Sequence, residues 1–263
     1  MHLKRWLTAF VLLPLTIYVI GFSPSWAFYV FLIFFLFLAL KEFYSITSIS
    51  FVPKFSGYIS SLLLLLTILM GQMYFFPLSV FFAVLLCLSF AIVLNYSPSK
   101  EVIQDIGASV LSVVYIAIPF SLIMVIYRHP FGKAWILFLL CVVIAGDTGA
   151  FYFGRYLGRH KLHKKVSPNK TWEGAVGGLF CSTVAGLMFI RAFKISSFSY
   201  KTICFLIFIS MVAQMGDLAE SFIKRSFGKK DSGSILPGHG GVLDRIDSLL
   251  FAIPFLYGYI MGR

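Results

Sequence analysis

The chain has 263 residues, of which 59% are hydrophobic and 12% are charged, with a formal net charge of +12. Soluble domains carry about a quarter charged residues, so this composition argues against a soluble fold, and the long unbroken apolar runs argue against an outer-membrane β-barrel. The chain is therefore predicted to be an all-α, polytopic integral membrane protein. Its positive charge is interpreted as interacting with anionic headgroups and a phosphorylated substrate rather than with nucleic acid.

Polar residues divide the apolar sequence into about nine predicted membrane helices. The predicted spans are 6–22, 26–40, 57–74, 77–94, 106–127, 135–153, 174–193, 202–220 and 247–261. The first run follows a basic start, as in a signal peptide, but no clear small-residue cleavage site follows it, so it is interpreted as an uncleaved helix. The second run is short enough to be tilted, interfacial or part of a hairpin.

The positions of lysine and arginine predict how the chain is oriented. With the N-terminus in the cytoplasm, 16 of the 22 basic residues fall in cytoplasmic loops. The two loops richest in charge, 154–173 and 221–246, then face the same compartment. The chain, 1–263, is predicted to form one membrane domain, in which 1–134 supplies spans with few polar residues and 135–263 forms the catalytic region.

The ten acidic residues indicate where the chemistry lies. Glu42, Glu101 and Asp105 are scattered at loop edges and are interpreted as solvated or facing headgroups. The other seven all fall between positions 147 and 247, and they are Asp147, Glu173, Asp217, Glu220, Asp231, Asp244 and Asp247. Carboxylates within or beside apolar spans usually face a cavity, a cation or a partner, and ion pairing between helices is the plainer alternative.

Two pairs of these acids have helical spacing. Asp217 and Glu220 are three residues apart near the end of the eighth span, and Asp244 and Asp247 are three apart at the start of the ninth. Residues at i and i+3 share a helix face, so two facing helix ends would bring up to four carboxylates together. Such oxygen-rich sites suit Mg²⁺. The histidines and cysteines do not have the spacing of a zinc site, and the single His239 is interpreted as a hydrogen-bond donor to phosphate rather than a metal ligand.

Basic residues and glycines surround these acids. The basic residues nearest to them are Lys224, Arg225, Lys229 and Lys230, of which Lys229 has the alternative interpretation of an ordinary cytoplasmic-side charge. The glycine-rich stretch 238–241 follows Pro237, and glycines let backbone amides approach phosphate oxygens. Together these features indicate polyphosphate chemistry on a cation.

The earlier loop carries a second polar motif, "SPNKTWEG", at 167–174. Thr171 is predicted to cap the seventh span, which would leave helix amides free for an anion. A simple helix start is an alternative for Thr171 and Glu173, but it does not account for Lys170. Upstream, Asp147 and Thr148 lie between glycines, which predicts close helix packing around a polar cavity.

The later loop resembles the signature of phosphatidate cytidylyltransferases, also called CDP-diacylglycerol synthases, with matching spacing throughout. The matching residues are Ser221, Lys224, Arg225, Lys230, Asp231, Gly233, Leu236, Pro237, His239, Gly240, Gly241, Asp244, Arg245 and Asp247. The stretches "DTGAFYFGR" and "SPNKTWEG" are similar to the preceding motifs of that family, in the same order.

The resemblance implies a reaction in which CTP and phosphatidic acid give CDP-diacylglycerol and pyrophosphate, with Mg²⁺, an optional second cation and a homodimer. It places metal ions on Asp217 and Asp244, and the clustered carboxylates add Glu220 as a further ligand. The expected catalytic residues are Lys224, Arg225, Lys230, Asp231, His239, Arg245 and Asp247. The expected substrate-binding residues are Asp147, Ser167, Lys170, Thr171, Glu173, Ser221, Gly240 and Gly241.

Localisation follows from the same reasoning: the protein is expected in the cytoplasmic (inner) membrane, with its active site facing the cytoplasm. The main alternative function is a CTP-dependent lipid kinase of the dolichol or phytol type, in which the lipid attacks the γ-phosphorus instead. A cation or phosphate transporter is a further alternative. It would spread polar residues along a path through several spans, whereas here they concentrate on one side.

Overall fold

The uninterrupted apolar sequence folds into helix over most of its length in the computed structural model, which describes residues 2–71, 75–93, 99–233, 235 and 240–262. The helices are α1 His2–Gly21, α2 Ser25–Thr47, α3 Phe51–Leu69, α4 Phe76–Val93, α5 Lys100–Ser112, α6 Ile118–Arg128, α7 Gly132–Tyr156, α8 Trp172–Phe193, α9 Tyr200–Ser226 and α10 Leu243–Met261. A π-helical segment, Val113–Ala117, joins α5 to α6. Strands β1 Lys161–His163 and β2 Ser167–Thr171 form an antiparallel hairpin between α7 and α8.

Six helical stretches are long and apolar enough to cross a membrane among the residues that the structure describes. They are Ser25–Thr47, Phe51–Leu69, Lys100–Arg128, Gly132–Tyr156, Trp172–Phe193 and Tyr200–Ser226. Lipid cannot form hydrogen bonds with the backbone, whereas a helix pairs its backbone groups internally, so a helical structure is expected for membrane spans. The all-α integral membrane class is confirmed. A helix also lies at each of the other three predicted positions, but the count of nine spans stays a prediction.

The second predicted span was too short. Helix α2 continues to Thr47 and has 23 residues, because Lys41 and Glu42 continue the helix instead of ending it. The expectation that Glu42 is solvated was also wrong, since its side chain is buried. Asp105 is half-buried and accepts hydrogen bonds from the backbone N–H and hydroxyl of Ser50, at 2.9 and 2.5 Å. Glu101 is exposed, as expected.

The first compact unit of the chain comprises Met1–Leu12, Ser23–Val125 and Asp231–Leu243. Its helices are joined by small polar residues as well as by apolar packing. The hydroxyl of Ser109 donates to the carbonyl of Pro53 at 2.7 Å, and that of Ser60 donates to the carbonyl of Ala83 at 2.9 Å. Tyr44 and Ser112 hydroxyls lie 2.6 Å apart. Buried hydroxyls of this kind bind apolar helices to one another through their backbone carbonyls.

The second compact unit comprises Leu13–Phe22, Ile126–Lys230 and Asp244–Arg263. Helices α7 and α8 pack through glycines: a Cβ at Gly178 would lie 2.8 Å from the carbonyl oxygen of Gly146. A Cβ at Gly149 would lie 2.7 Å from the Cβ of Cys181. This confirms the close helix packing predicted around Asp147, because its flanking glycines let the two backbones approach.

Candidate active site

Two helices of the second unit carry most of the predicted site residues. Helix α9 extends to Ser226, so Asp217, Glu220 and Lys224 all lie in its last three turns. Asp244 lies in the first turn of α10, where the helix dipole favours a negative charge. A Cβ at Gly216 would lie 2.7 Å from the carbonyl oxygen of Asp247, so this glycine lets the two helices approach closely. The pair on α10 lies in the first turns of that helix, as predicted. The pair on α9 does not lie at the helix end, because α9 continues six residues past its predicted end at 220.

Lys224 joins the two helices. Its ammonium pairs with the carboxylate of Glu220, one turn earlier on α9, and lies 2.5 Å from Oδ1 of Asp244 on α10. All three side chains are largely buried, with 11%, 2% and 12% of their surfaces exposed. Buried charges are tolerated only when they are paired, so this cation fixes where both carboxylates lie.

The earlier loop reaches the same helices through Lys170. Its ammonium lies 2.5 Å from Oδ2 of Asp217, which is thereby joined to the end of β2. The next residue, Thr171, caps α8 as predicted, because its hydroxyl oxygen accepts from the backbone N–H of Gly174 at 3.1 Å. Arg225 also contacts the hairpin, since its Nε donates to the carbonyl of Val166 at 3.5 Å. The structure therefore brings residues of both predicted loops together.

Asp147 and Asp247 extend this group of charges. The charge of Asp147 interacts with those of Asp217, Lys170 and Arg245. That of Asp247 interacts with those of Asp217, Asp147 and Lys170. Asp247 is buried and accepts a hydrogen bond from the N–H of Ser248 at 2.7 Å, whereas Asp147 is exposed on α7. We call the whole group the carboxylate cluster: Asp147, Asp217, Glu220, Asp244 and Asp247 with Lys170, Lys224 and Arg245.

The carboxylate cluster contains more acidic than basic side chains. Its five carboxylates face three basic side chains, which leaves two negative charges when all the groups are ionised. In addition, Oε1 of Glu220 is buried and has no hydrogen-bond partner among the described residues. An excess of two acidic side chains and a buried carboxylate oxygen without a described partner fit a divalent cation with oxygen ligands. Among the described residues, however, no three acidic, histidine or cysteine side chains converge as a complete ligand set.

Glu173 has a partner within its own loop. Its carboxylate lies 2.6 Å from Nδ1 of His160 and accepts from the His160 backbone N–H at 3.2 Å. The backbone N–H of Trp172 donates to the His160 carbonyl at 3.0 Å, so these contacts close the base of the hairpin. Ser167, at the start of β2, is half-buried. Sequence reasoning did not identify His160 as the partner of Glu173, because the two are separated by the hairpin.

A basic groove opens beside this hairpin. It has a volume of about 710 Å³ and is lined by Arg159, His160, Lys161, Lys164 and Trp172. Its basic residues and the Trp172 side chain are exposed. The positive charge of the earlier loop is therefore presented to solvent as a surface that attracts anions.

The remaining predicted residues are not members of the carboxylate cluster. Ser221 is half-buried on α9, and Lys230 is exposed just after that helix. Asp231, Gly240 and Gly241 belong to the first unit, where Asp231 is exposed and Gly241 is buried. His239 lies outside the described residues.

One residue near the signature was missed from the sequence. Glu42 accepts hydrogen bonds from the backbone N–H groups of Val242 and Leu243, immediately before Asp244 in the chain. A carboxylate within an apolar run was the available signal, since such groups are expensive to bury without a specific role. Nothing in the local sequence indicated that its partners lie about two hundred residues away.

Comparison with known proteins shows a match along the whole chain. The model of a cytidylyltransferase family matches residues 3–261. The chain is 40% identical over 224 residues to a phosphatidate cytidylyltransferase of Staphylococcus saprophyticus, and the match covers 84% of each protein. It is 40% identical over 223 residues to one of Staphylococcus epidermidis, covering 83% of this chain and 84% of the relative. A third, from Staphylococcus aureus, is 39% identical over 223 residues with the same coverage.

Replacing Lys224 by methionine should destabilise the protein, because two carboxylates would lose their buried cation. Removing one member of a buried pair costs about 3 to 5 kcal/mol, which for a chain of this size corresponds to a fall of about 6 to 20 °C in the thermal midpoint. The midpoint is measured on purified protein in detergent. Lys201→Met is the matched control, because Lys201 is exposed near the start of the same helix. Equal midpoints for the two variants would show that the bridge does not stabilise the fold.

Proposed function

The chain belongs to the cytidylyltransferase family, and we propose from this membership that it transfers the cytidylyl group of CTP to phosphatidic acid. The products are CDP-diacylglycerol and pyrophosphate, so the protein is a nucleotidyltransferase of phospholipid biosynthesis. The relatives at about 40% identity are named for this activity, and the resemblance of the signature is confirmed. The observation that carries the proposal is the carboxylate cluster, in which signature residues from both polar loops converge.

The reaction requires the protein to neutralise and position two anionic substrates, and it does not require a strong base. The phosphate of phosphatidic acid is already an anion, and one of its oxygens forms a bond to the α-phosphorus of CTP. The bond from that phosphorus to the β-phosphate oxygen breaks, and its electrons leave with pyrophosphate. Two anions must therefore be brought together and aligned, which is achieved by positioning and by nearby positive charge.

The basic residues of the cluster are suited to this task. Lys170 and Lys224 are each held beside a carboxylate, so their ammonium groups are oriented before substrate binds. Arg225, Lys230 and Arg245 are exposed and add positive charge to the same stretch of chain. These side chains offset the charge of the phosphates as the pyrophosphate leaves. The basic groove beside the hairpin offers an approach for CTP, because its exposed cations attract a triphosphate from solution.

The metal assignment is part of the proposal. Asp217 and Asp244, with Glu220, would hold Mg²⁺, and the excess of acidic side chains and the unpartnered Glu220 oxygen support this. When bound, the ion would neutralise triphosphate oxygens. Asp147 and Asp247 would orient Lys170 from within the cluster. A second cation and a homodimer, both implied by the family resemblance, are also part of the proposal.

The remaining roles rest on the signature itself. Ser167, Thr171 and Glu173 would shape the hairpin that presents Lys170, as their contacts at the start of α8 suggest. Ser221 would contact substrate from α9. The signature residues Asp231, His239, Gly240 and Gly241 are proposed to act on the pyrophosphate group.

The orientation is also proposed. The N-terminus and the loops 154–173 and 221–246 would face the cytoplasm, with the protein in the cytoplasmic membrane. The distribution of the 22 basic residues supports this orientation. The contact between Arg225 and the carbonyl of Val166 supports placing the two loops on one side. A cytoplasmic site would receive CTP from water while the acyl chains of phosphatidic acid stay in the bilayer.

Two labelled forms of CTP test the reaction. Full-length protein in mixed micelles is given phosphatidic acid and CTP labelled with ³²P at either the α or the γ position. We expect the α label in the extracted lipid and the γ label in pyrophosphate. Diacylglycerol in place of phosphatidic acid is the control and should take up neither label. Transfer of the γ label to lipid would instead identify a lipid kinase, and no transfer of either label would refute the proposal.

The metal acids are tested by substitution. Asp217→Asn and Asp244→Asn keep the size of the side chain but remove its charge, and each should lower kcat by about 10²-fold or more. Binding of Mn²⁺ as a probe for Mg²⁺, measured by electron paramagnetic resonance, should weaken in parallel. Glu101→Gln is the control, since it removes an exposed carboxylate. Near-normal turnover and unchanged Mn²⁺ binding in Asp244→Asn would rule out the assignment of Asp244.

Single cysteines test the orientation. In a variant lacking Cys87, Cys141, Cys181 and Cys204, cysteine is introduced at Lys165, at Ser226 or at Ser197, which are all exposed. An impermeant thiol reagent applied to intact cells should label only the cysteine at 197, which the charge distribution places outside. Labelling at 165 or 226 before the cells are broken would contradict a cytoplasmic site.

A further inference from the structure

Glu42 is the most deeply buried carboxylate of the first unit, with 2% of its surface exposed. It lies on α2, between Lys41 and Phe43, and far in sequence from both polar loops. Burying a carboxylate is expensive unless hydrogen bonds replace the water that it loses. The partners of this side chain therefore indicate what it does.

Both carboxylate oxygens of Glu42 accept hydrogen bonds from the segment that carries the signature. Oε1 lies 2.9 Å from the backbone nitrogen of Val242, and Oε2 lies 2.8 Å from that of Leu243. The hydroxyl of Ser232 donates to Oε2 at 3.3 Å. All these residues belong to the first unit. One side chain thus holds the two described ends of the loop 231–243.

These contacts also cap a helix. Leu243 is the first residue of α10, and the amides at a helix start have no partner within the helix. Helices usually obtain such caps from a neighbouring residue in sequence, but here the acceptor comes from α2. A carboxylate in this position is favoured by the helix dipole as well as by its hydrogen bonds.

Two signature glycines make room for this side chain. A Cβ at Gly233 would lie 2.7 Å from Oε1 of Glu42, and a Cβ at Gly241 would lie 2.5 Å from Oε2. Real Cβ atoms do not approach an oxygen so closely, so any larger residue at either position would displace the carboxylate or the loop. The glycines and Glu42 therefore form one packing unit.

We propose that Glu42 is a positioning residue for the transferase reaction, acting through the backbone at 232–233 and 240–243. By fixing Val242 and Leu243, it sets where the chain enters α10, and the next two residues are Asp244 and Arg245 of the carboxylate cluster. Glu42 contacts neither substrate nor metal in this role. The inference rests on the proposed function, because it explains how the signature loop is held for that reaction.

Glu42→Gln is the first test, made in the full-length protein. Glutamine keeps the shape, but its amide nitrogen is a donor facing one of the two backbone N–H groups, so one hydrogen bond is lost and two donors oppose each other. Hydrogen exchange of peptides covering 240–245 should become about tenfold faster or more, with no change in peptides from α7 and α8. Glu101→Gln, an exposed carboxylate of the same unit, should leave exchange and turnover unchanged.

Kinetics distinguish positioning from general stability. With activity expressed per folded molecule, Glu42→Gln should lower kcat by about 10- to 100-fold, because small displacements of catalytic groups are costly. Glu42→Asp keeps the charge but has a side chain one methylene shorter, so its kcat should lie between those of Glu42→Gln and the wild type. Ser232→Ala removes the longest of the three hydrogen bonds that Glu42 accepts and should have the smallest effect of these substitutions on kcat. A kcat for Glu42→Gln equal to that of the wild type would overturn the proposal.

A double-mutant cycle tests the packing unit. Gly233→Ala alone should lower kcat, because its methyl group meets the carboxylate. In the Glu42→Ala background the same change should cost less than about threefold, because the carboxylate is gone. Fully additive effects would show that the two positions are independent and would contradict the proposal. If wild-type protein forms no CDP-lipid, the proposed function fails, whereas unchanged exchange at 240–245 in Glu42→Gln refutes the role of Glu42 alone.

Discussion

The second unit depends on one constraint, which is that charge placed among apolar helices must be paired. Lys224 meets this constraint for Glu220 and Asp244 at once, and Gly216 lets α9 and α10 approach closely enough for it to do so. Lys170 pairs with Asp217 in the same way from the end of β2. The geometry of the carboxylate cluster is therefore set by the lysines as much as by the acids, because a carboxylate can be buried at low cost only where a lysine pairs with it.

The first unit meets the same constraint without a lysine. Glu42 is as buried as Glu220, but its described partners are backbone N–H groups and a hydroxyl. The difference has a chemical consequence. A carboxylate paired with an ammonium group can exchange that partner for an incoming cation or phosphate, as the proposed reaction requires of Asp217 and Lys170. A carboxylate that is hydrogen-bonded to backbone N–H groups has a structural role. Breaking those hydrogen bonds would disturb the helix start that it caps.

Sequence patterns predicted what depends on neighbours in the chain. The helical class followed from apolar length, the cap at Thr171 from its place before a helix, and the acid pairs on α9 and α10 from three-residue spacing. The patterns failed where the partner is distant. The length of α2, the burial of Glu42 and the pairing of Asp105 with Ser50 each depend on tertiary contacts that no local period records. The set of residues that binds a ligand is harder still to predict from sequence, because it depends on the angles between helices as well as on residue types.

The signature loop contains residues of two different kinds, although a single motif includes them all. Asp244 and Lys224 are largely buried charged residues. Their proposed roles depend on their charge, so a neutral residue could not replace them. Gly233 and Gly241 have no side chain, and the structure requires empty space at these positions for Glu42 and, at Gly241, for the Ser232 hydroxyl as well. A glycine beside phosphate-binding residues is commonly interpreted as an anion-binding turn. Here its lack of a side chain already has a sufficient cause in packing, so a role in anion binding at Gly241 has to rest on its backbone N–H alone.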